Sequence, residues 1–212
     1  MSADVWSERA DAYRGAADQS AGDDLELLVS WGEGRTALDV ASGGGHTARR
    51  LREAGFDVVT LDPAPGMAAD VLASAEDIPF AESSFDVVAC RIAPHHFAAV
   101  RQAVAEMARV ARRLVLIEDT LYAGEQVEEA ERLRDPTHVC SYSEAEWREL
   151  LESAGLTVEE VRVLRKSRPV DAWLARAGCV GEEAEDVKAM LAEHLDGDQY
   201  VDTKILLKAR KA

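Results

Sequence analysis

Cysteine is scarce in this sequence: the three present, Cys90, Cys140 and Cys179, are odd in number and far apart. They make no CxxC pair and no ligand cluster with the five histidines, which argues against a disulfide framework and leaves no metal-binding spacing. Basic residues are also few, 24 against 40 acidic, for a net charge of −16. That balance opposes nucleic-acid binding, where Lys and Arg neutralising phosphates supply most of the affinity. Long hydrophobic runs are missing, and none approaches the roughly 20 residues that span a bilayer. The first twenty residues are polar and acidic, without the apolar centre of a signal peptide. A cytoplasmic location, with no membrane partner, is the expectation.

What remains is the composition of an ordinary globule, 47% hydrophobic and 30% charged over 212 residues. A chain of that length can bury roughly 70% of its unfolded surface, so one domain needs neither disulfide nor structural metal. Its apolar segments alternate in type. Two helical stretches occupy 1–35, the second over 24–31 with Leu25, Leu28 and Val29 at helical spacing. Strands are expected at 36–41, 57–62, 85–91, 113–118, 157–164 and 204–209, and helices at 46–54, 97–110 and 143–154. Ser143 and Glu146 are spaced as a capping box that opens the last of these helices. Strand alternating with helix implies parallel pairing through right-handed crossovers. The expected fold is α/β: a Rossmann-like, open, mostly parallel seven-stranded sheet with helices on both faces and the last strand antiparallel. Within this single domain, 36–119 forms the cofactor-binding half, and 120–142 and 167–198 are insertions on the substrate side.

The segment 38–48 places chemistry on that frame. A buried strand carries Asp39, runs into the turn Ala41, Ser42, Gly43, Gly44, Gly45, and opens a helix at His46. Glycine lets the backbone bend sharply and approach a ligand closely. The N–H groups and dipole at the helix start favour an anion such as a carboxylate, while Asp39 offers the opposite sign. An amino-acid moiety suits such a pair. A dinucleotide fingerprint would place small residues where this chain has Ala41, Gly43 and His46, and the histidine breaks it. No Gly-Lys-Ser/Thr is present to make a phosphate loop.

The spacing Asp39-x-Ala41-x-Gly43-x-Gly45 resembles the first motif of class I S-adenosylmethionine-dependent methyltransferases, in particular the group similar to the ubiquinone/menaquinone-biosynthesis C-methyltransferases. Further segments resemble that family in order: 59–67 around Asp62, 75–80, 84–91, 94–97 and 106–110. The resemblance implies S-adenosylmethionine as cofactor and S-adenosylhomocysteine as product. It implies Asp62 on both ribose hydroxyls, Pro63 beside adenine, and Ala75 and Glu76 at the adenine edge. It sets Asp39 on the methionine ammonium, directly or through water, with the Arg91 backbone nearby, and it makes Tyr13 similar to an N-terminal tyrosine that covers the cofactor. Two features depart from the family pattern. Ser74 stands where an aspartate usually accepts from the adenine amino group, and 66–74 is too short for the usual third helix.

Methyl transfer from a sulfonium needs alignment and exclusion of water more than it needs acid–base help. Where the nucleophile starts protonated, His95 and His96, just beyond the fourth strand, are the candidate bases. His138 and Tyr142 are candidate substrate contacts, and the expected partner is a small-molecule methyl acceptor. Two other readings remain: a domain of this fold that binds S-adenosylmethionine or S-adenosylhomocysteine without transferring methyl, and a nucleotide-dependent oxidoreductase.

Overall fold

The structure, a computed structural model, describes residues 3–212. Helices α1 (Ala3–Arg14), α2 (Ala17–Ser20) and α3 (Asp23–Ser30) precede the first strand. The apolar runs then become a sheet through β1 (Thr36–Val40), α4 (His46–Glu53), β2 (Asp57–Asp62), β3 (Val71–Leu72) and β4 (Phe85–Arg91). The chain continues as α5 (Val100–Val110), β5 (Ala111–Thr120), α6 (Glu125–Arg134), α7 (Glu144–Ser153) and β6 (Leu156–Pro169). It ends with α8 (Val170–Ala177), α9 (Glu182–Met190), β7 (Leu195–Asp196) and β8 (Gln199–Lys211). The strand order is β3-β2-β1-β4-β5-β8-β6, with β7 paired on β8. β1 to β5 run parallel, and β8 lies antiparallel between β5 and β6.

Parallel strands covered on both faces read as unbroken apolar runs, and all seven residues of β4 are buried. On one face, Leu25 and Leu28 of α3 and Leu51 of α4 pack against Ala37, Val87, Leu114 and Leu206. On the other, Val104 and Met107 of α5 join Trp147 and Leu151 of α7 over Leu38, Val88, Ile117 and Leu207. Each such side chain contributes roughly 1.5–3 kcal/mol on full burial. A smaller core gathers α6, α8 and α9 through Val127, Trp173, Val187 and Tyr200.

Several elements differ from their sequence expectation. The sheet holds eight strands rather than seven: the six ranges placed from the sequence are joined by the two-residue β3 and β7. Between β2 and β4 there is only a 3₁₀ turn (Pro65–Met67) and the two-residue β3, as the short 66–74 connection requires. The helix expected from 97 begins at Val100, since Pro94–His96 turn as a 3₁₀ helix first. β6 and β8 run far beyond 157–164 and 204–209, so residues 167–169, expected in an insertion, extend a strand. The capping box is formed: the Ser143 hydroxyl accepts from the Glu146 N–H, and the Glu146 carboxylate accepts from the Ser143 N–H at 2.8 Å.

Arg91, at the end of β4, ties these layers together. Its guanidinium donates to Asp24 of α3 (2.6 Å), to Glu118 of β5 (2.6 Å) and to the Gln19 carbonyl (3.0 Å). Lys166 of β6 also donates to Asp24. Burial raises the Glu118 carboxyl to about 7 against the pull of Arg91. Burial acts on Asp24 the same way, yet Arg91 and Lys166 hold its carboxyl well below the usual range. Removing one partner of a buried ion pair strands the others' charge, at a cost of about 3–5 kcal/mol. Arg91→Leu is therefore expected to lower the unfolding free energy by about that amount, read from the urea midpoint, whereas a loss under ~1 kcal/mol would mean that Arg91 is not the central cation.

Candidate functional site

Strand order reverses between β1 and β4, the place where open α/β sheets bind ligands beyond their carboxyl ends. A cavity of about 520 Å³ opens there, within the roughly 300–1,000 Å³ typical of small-molecule sites. The turn after β1 forms its floor, with Gly43 (φ 50°) and Gly45 (φ 76°) in the left-handed region. Asp62, ending β2, holds this turn: one carboxylate oxygen accepts the Gly43 N–H at 2.9 Å, the other the Ala64 N–H at 2.9 Å. Its side chain faces the cavity, and burial raises its carboxyl against the pull of those two N–H groups. Ala41 (φ 53°) and Ile92 (φ 52°) are also left-handed, and both line the cavity. For a β-branched residue such as Ile92 that conformation is strained, at a cost on the order of 1–3 kcal/mol.

Of the residues expected around a cofactor, Ala41, Gly43, Asp62, Pro63, Ser74, Ala75, Glu76, Arg91 and Tyr13 line the cavity, whereas Asp39 and Gly45 do not. Asp39 is buried beneath the turn, where its carboxylate accepts the Ala48 N–H at 2.9 Å and so anchors the first turn of α4. The sequence set Asp39 on the methionine ammonium, directly or through water; the structure places its side chain beneath the turn rather than among the cavity-lining residues. Arg91 lines the cavity, as expected of its backbone, while its side chain is engaged by Asp24 and Glu118. Ser74 donates its hydroxyl to the Glu76 carboxylate, so the two residues at this edge form one polar unit.

The N-terminal helix covers the opening. Trp6 and Tyr13 line the cavity from α1, and their rings meet edge to face at 5.6 Å. His46 Nε2 donates to the Tyr13 carbonyl at 2.9 Å. Glycine permits this close packing: a Cβ on Gly44 would stand 2.6 Å from the Tyr13 oxygen, and one on Gly66 would stand 2.6 Å from the Ser7 Cα. Trp6 and His46 were not among the expected site residues. A lone aromatic at position 6, inside a polar helix, was the available signal for Trp6.

His96 lines the main cavity, and His95 lines a second cavity of about 30 Å³ beside it. His95 Nδ1 contacts the buried Asp119 carboxylate at 2.5 Å. A carboxylate accepts, so Nδ1 carries the proton and Nε2 keeps a lone pair. His96 Nδ1 lies 3.1 Å from the Thr137 carbonyl, which fixes the same tautomer there. Burial, reinforced by neighbouring His95, holds the His96 ring well below the ordinary histidine range and therefore neutral at pH 7. Asp119 was missed in the sequence, although an acidic pair ending the apolar strand 114–120 was visible. His138 and Tyr142 line neither cavity: His138 is buried against Glu128 at 2.9 Å, and Tyr142 packs edge to face on Trp147. Both expected substrate contacts thus belong to the packing around 120–142. Among the described residues, no group of three or more His, Cys, Asp or Glu is placed to hold a metal ion.

Comparison with known proteins gives a consistent answer. The family described as a methyltransferase domain matches residues 38–115. YcgJ of Bacillus subtilis, named an uncharacterized methyltransferase, is 30% identical over 210 residues, covering 86% of this chain and 82% of that protein. Its crystal structure superposes with a TM-score of 0.77 at 25% identity, over 89% of this chain and 97% of that one. A Bacillus halodurans protein assigned as a methyltransferase gives a TM-score of 0.77 at 26% identity, over 90% of this chain and 99% of that one.

The buried state of Asp39 has a measurable consequence. Burial raises its carboxyl to about 7, with the Ala48 N–H and Arg91 opposing. Between about pH 4 and pH 7 the folded protein then holds a proton that the unfolded chain has lost, so this group lowers stability as pH rises through that window. Asp39→Asn keeps an acceptor for the Ala48 N–H and removes the charge. It is expected to be more stable than the parent by about 2 kcal/mol at pH 8, with the gap closing towards pH 5, in urea unfolding at both pH values. A gap independent of pH would show that Asp39 stays charged throughout.

Proposed function

This chain belongs to the class I S-adenosylmethionine-dependent methyltransferases, and on that premise we propose that it methylates an oxygen, nitrogen or carbon atom of a small molecule. The observation that supports this reading is Asp62. Its carboxylate lines the cavity while spending one lone pair on each of two backbone N–H groups. A carboxylate has roughly four acceptor positions, so two are left for a vicinal diol such as a ribose.

The other residues present fit the same cofactor. The N–H groups of the glycine turn and the start of α4 suit a carboxylate. Ser74, Ala75 and Glu76 supply polar and backbone groups at the wall where an adenine edge is expected, and Trp6 and Tyr13 close that space against water. When bound, S-adenosylmethionine supplies a methyl group on a sulfonium, a good leaving group that needs no acid to depart.

The chain's own contribution is orientation and proton handling. For an acceptor that starts protonated, His95 takes the proton on Nε2 while Asp119 holds the ring by its Nδ1–H and stabilises the imidazolium that results. His96, neutral and fixed on the Thr137 carbonyl, walls both cavities and positions the acceptor.

Calorimetric titration with S-adenosylhomocysteine and with NAD(H) tests the assignment. Micromolar binding of the first alone is expected, weakened at least about tenfold in Asp62→Ala, equivalent to ~1.4 kcal/mol. Binding of NAD(H), or unchanged S-adenosylhomocysteine binding in Asp62→Ala, would contradict the role given to the cavity.

A further inference from the structure

Tyr13, Gln19, Ile92 and His96 line both cavities, so the two spaces adjoin at these residues. The smaller has room for roughly two water molecules by the usual one-probe measure. The body of an acceptor therefore lies in the larger cavity, and only a small group of it reaches the junction with His95 beyond.

Charge around that junction is balanced. Arg134 pairs with Glu131 at 3.1 Å, and Arg176 donates to Asp18. Arg168 donates to Asp202 at 2.6 Å and stands 3.8 Å from Asp18, while Lys204 pairs with Asp202 at 2.8 Å. The Asp119 carboxylate on His95 supplies the remaining negative charge. On the other side, Arg91 and Lys166 are matched by Asp24 and Glu118. An acceptor with a net charge would bring it among these buried pairs without a counter-charge, which is strongly unfavourable.

The groups still unspent are uncharged. His46 Nε2 and Arg91 donate to the backbone carbonyls of Tyr13 and Gln19 and so fix both residues. The Tyr13 hydroxyl and the Gln19 carboxamide are left with no hydrogen-bond partner among the described residues. Burial raises the Tyr13 phenol above its ordinary range, so it stays a neutral donor. The rings of Trp6, Tyr13 and His96 meet beside them, Trp6 standing 4.7 Å from His96 and 5.6 Å from Tyr13. Such rings pack well against a flat apolar body.

We propose that the methyl acceptor is an uncharged phenol, selected at the junction of the two cavities by the Gln19 carboxamide and the Tyr13 hydroxyl. This rests on the methyltransferase reading and narrows its acceptor atom to oxygen. A phenol ionises nearer to neutrality than an aliphatic alcohol, so its proton suits a histidine base. The phenolic oxygen bonds to the methyl carbon as the carbon–sulfur bond breaks and its electron pair returns to sulfur. The phenolic proton goes to His95 Nε2. The positive charge that leaves sulfur thus reappears on the imidazole beside Asp119, and the site gains none.

Side-chain amide signals of the full-length protein, labelled with ¹⁵N and saturated with S-adenosylhomocysteine, provide the test. The Gln19 pair is assigned by its disappearance in Gln19→Ala, and the Trp6 indole N–H by its loss in Trp6→Phe. Phenol, sodium benzoate and benzylammonium chloride are titrated at pH 7 and constant ionic strength. A saturable shift of the Gln19 signals with phenol is expected, with a Kd at least about tenfold below those of both charged analogues. In Gln19→Ala and in Tyr13→Phe, followed at the Trp6 indole, phenol is expected to bind about fivefold more weakly, as for one lost neutral hydrogen bond. S-adenosylhomocysteine affinity in Gln19→Ala, from calorimetry, is expected to stay near that of the parent. No saturable phenol shift, equal or tighter binding of either charged analogue, or unchanged phenol affinity in both variants would overturn the proposal. No S-adenosylhomocysteine binding by the parent would instead count against the methyltransferase reading, and the three titrations on the protein alone would still decide the charge of the acceptor.

Discussion

One carboxylate at the end of β2 holds the functional edge of this sheet in place. Asp62 takes the N–H of Gly43 with one oxygen and that of Ala64 with the other, so the turn after β1 and the turn after β2 share an anchor. Beneath it, Asp39 fixes the start of α4 through the Ala48 N–H. Two acidic residues that look alike in the sequence therefore do different work. Asp39 is sealed under the turn and shapes it, while Asp62 shapes the turn and still faces the ligand space. A preorganised site of this kind gains affinity because the backbone donors need no reordering when a ligand arrives.

The second constraint comes from the N-terminal helix, which reaches the site only because glycines leave room for it. At Gly44 and Gly66 the backbones of α1 and the turns after β1 and β2 approach more closely than any Cβ allows. Arg91 then ties α3 and the loop at Gln19 to the sheet through buried ion pairs. The same strand end passes into the strained Ile92, one of the residues that line both cavities. Strain of that kind persists where the surroundings over-determine it, and here the Ile92 N–H is held by the Glu118 carbonyl at 2.7 Å.

Much of the frame was legible because burial on both faces leaves a plain mark. The runs at 36–40 and 85–91 are apolar at most positions, with Asp39, Asp86 and Arg91 the charged exceptions, and the glycine turn and the Ser143–Glu146 cap have fixed spacings. The long β6–β8 ladder was less legible, since β6 is a sheet edge whose residues alternate between half-buried and exposed, with Arg162 and Arg165 facing out. Pairings across the chain left no local mark at all. His95, in the turn after β4, finds Asp119 on β5 over 24 residues, and Arg168 finds Asp202 over 34 across the β6–β8 ladder. His138 and Tyr142 show the reverse case: chemically suggestive residues that the fold spends on packing.

A crystal structure of the protein with S-adenosylhomocysteine would test most directly that Asp62 joins the turn to the ligand. The ribose hydroxyls are expected at roughly 2.5–3.0 Å from the Asp62 carboxylate, with the Gly43 and Ala64 contacts retained. A ligand bound with its ribose away from Asp62, or an empty cavity at saturating ligand, would contradict the account.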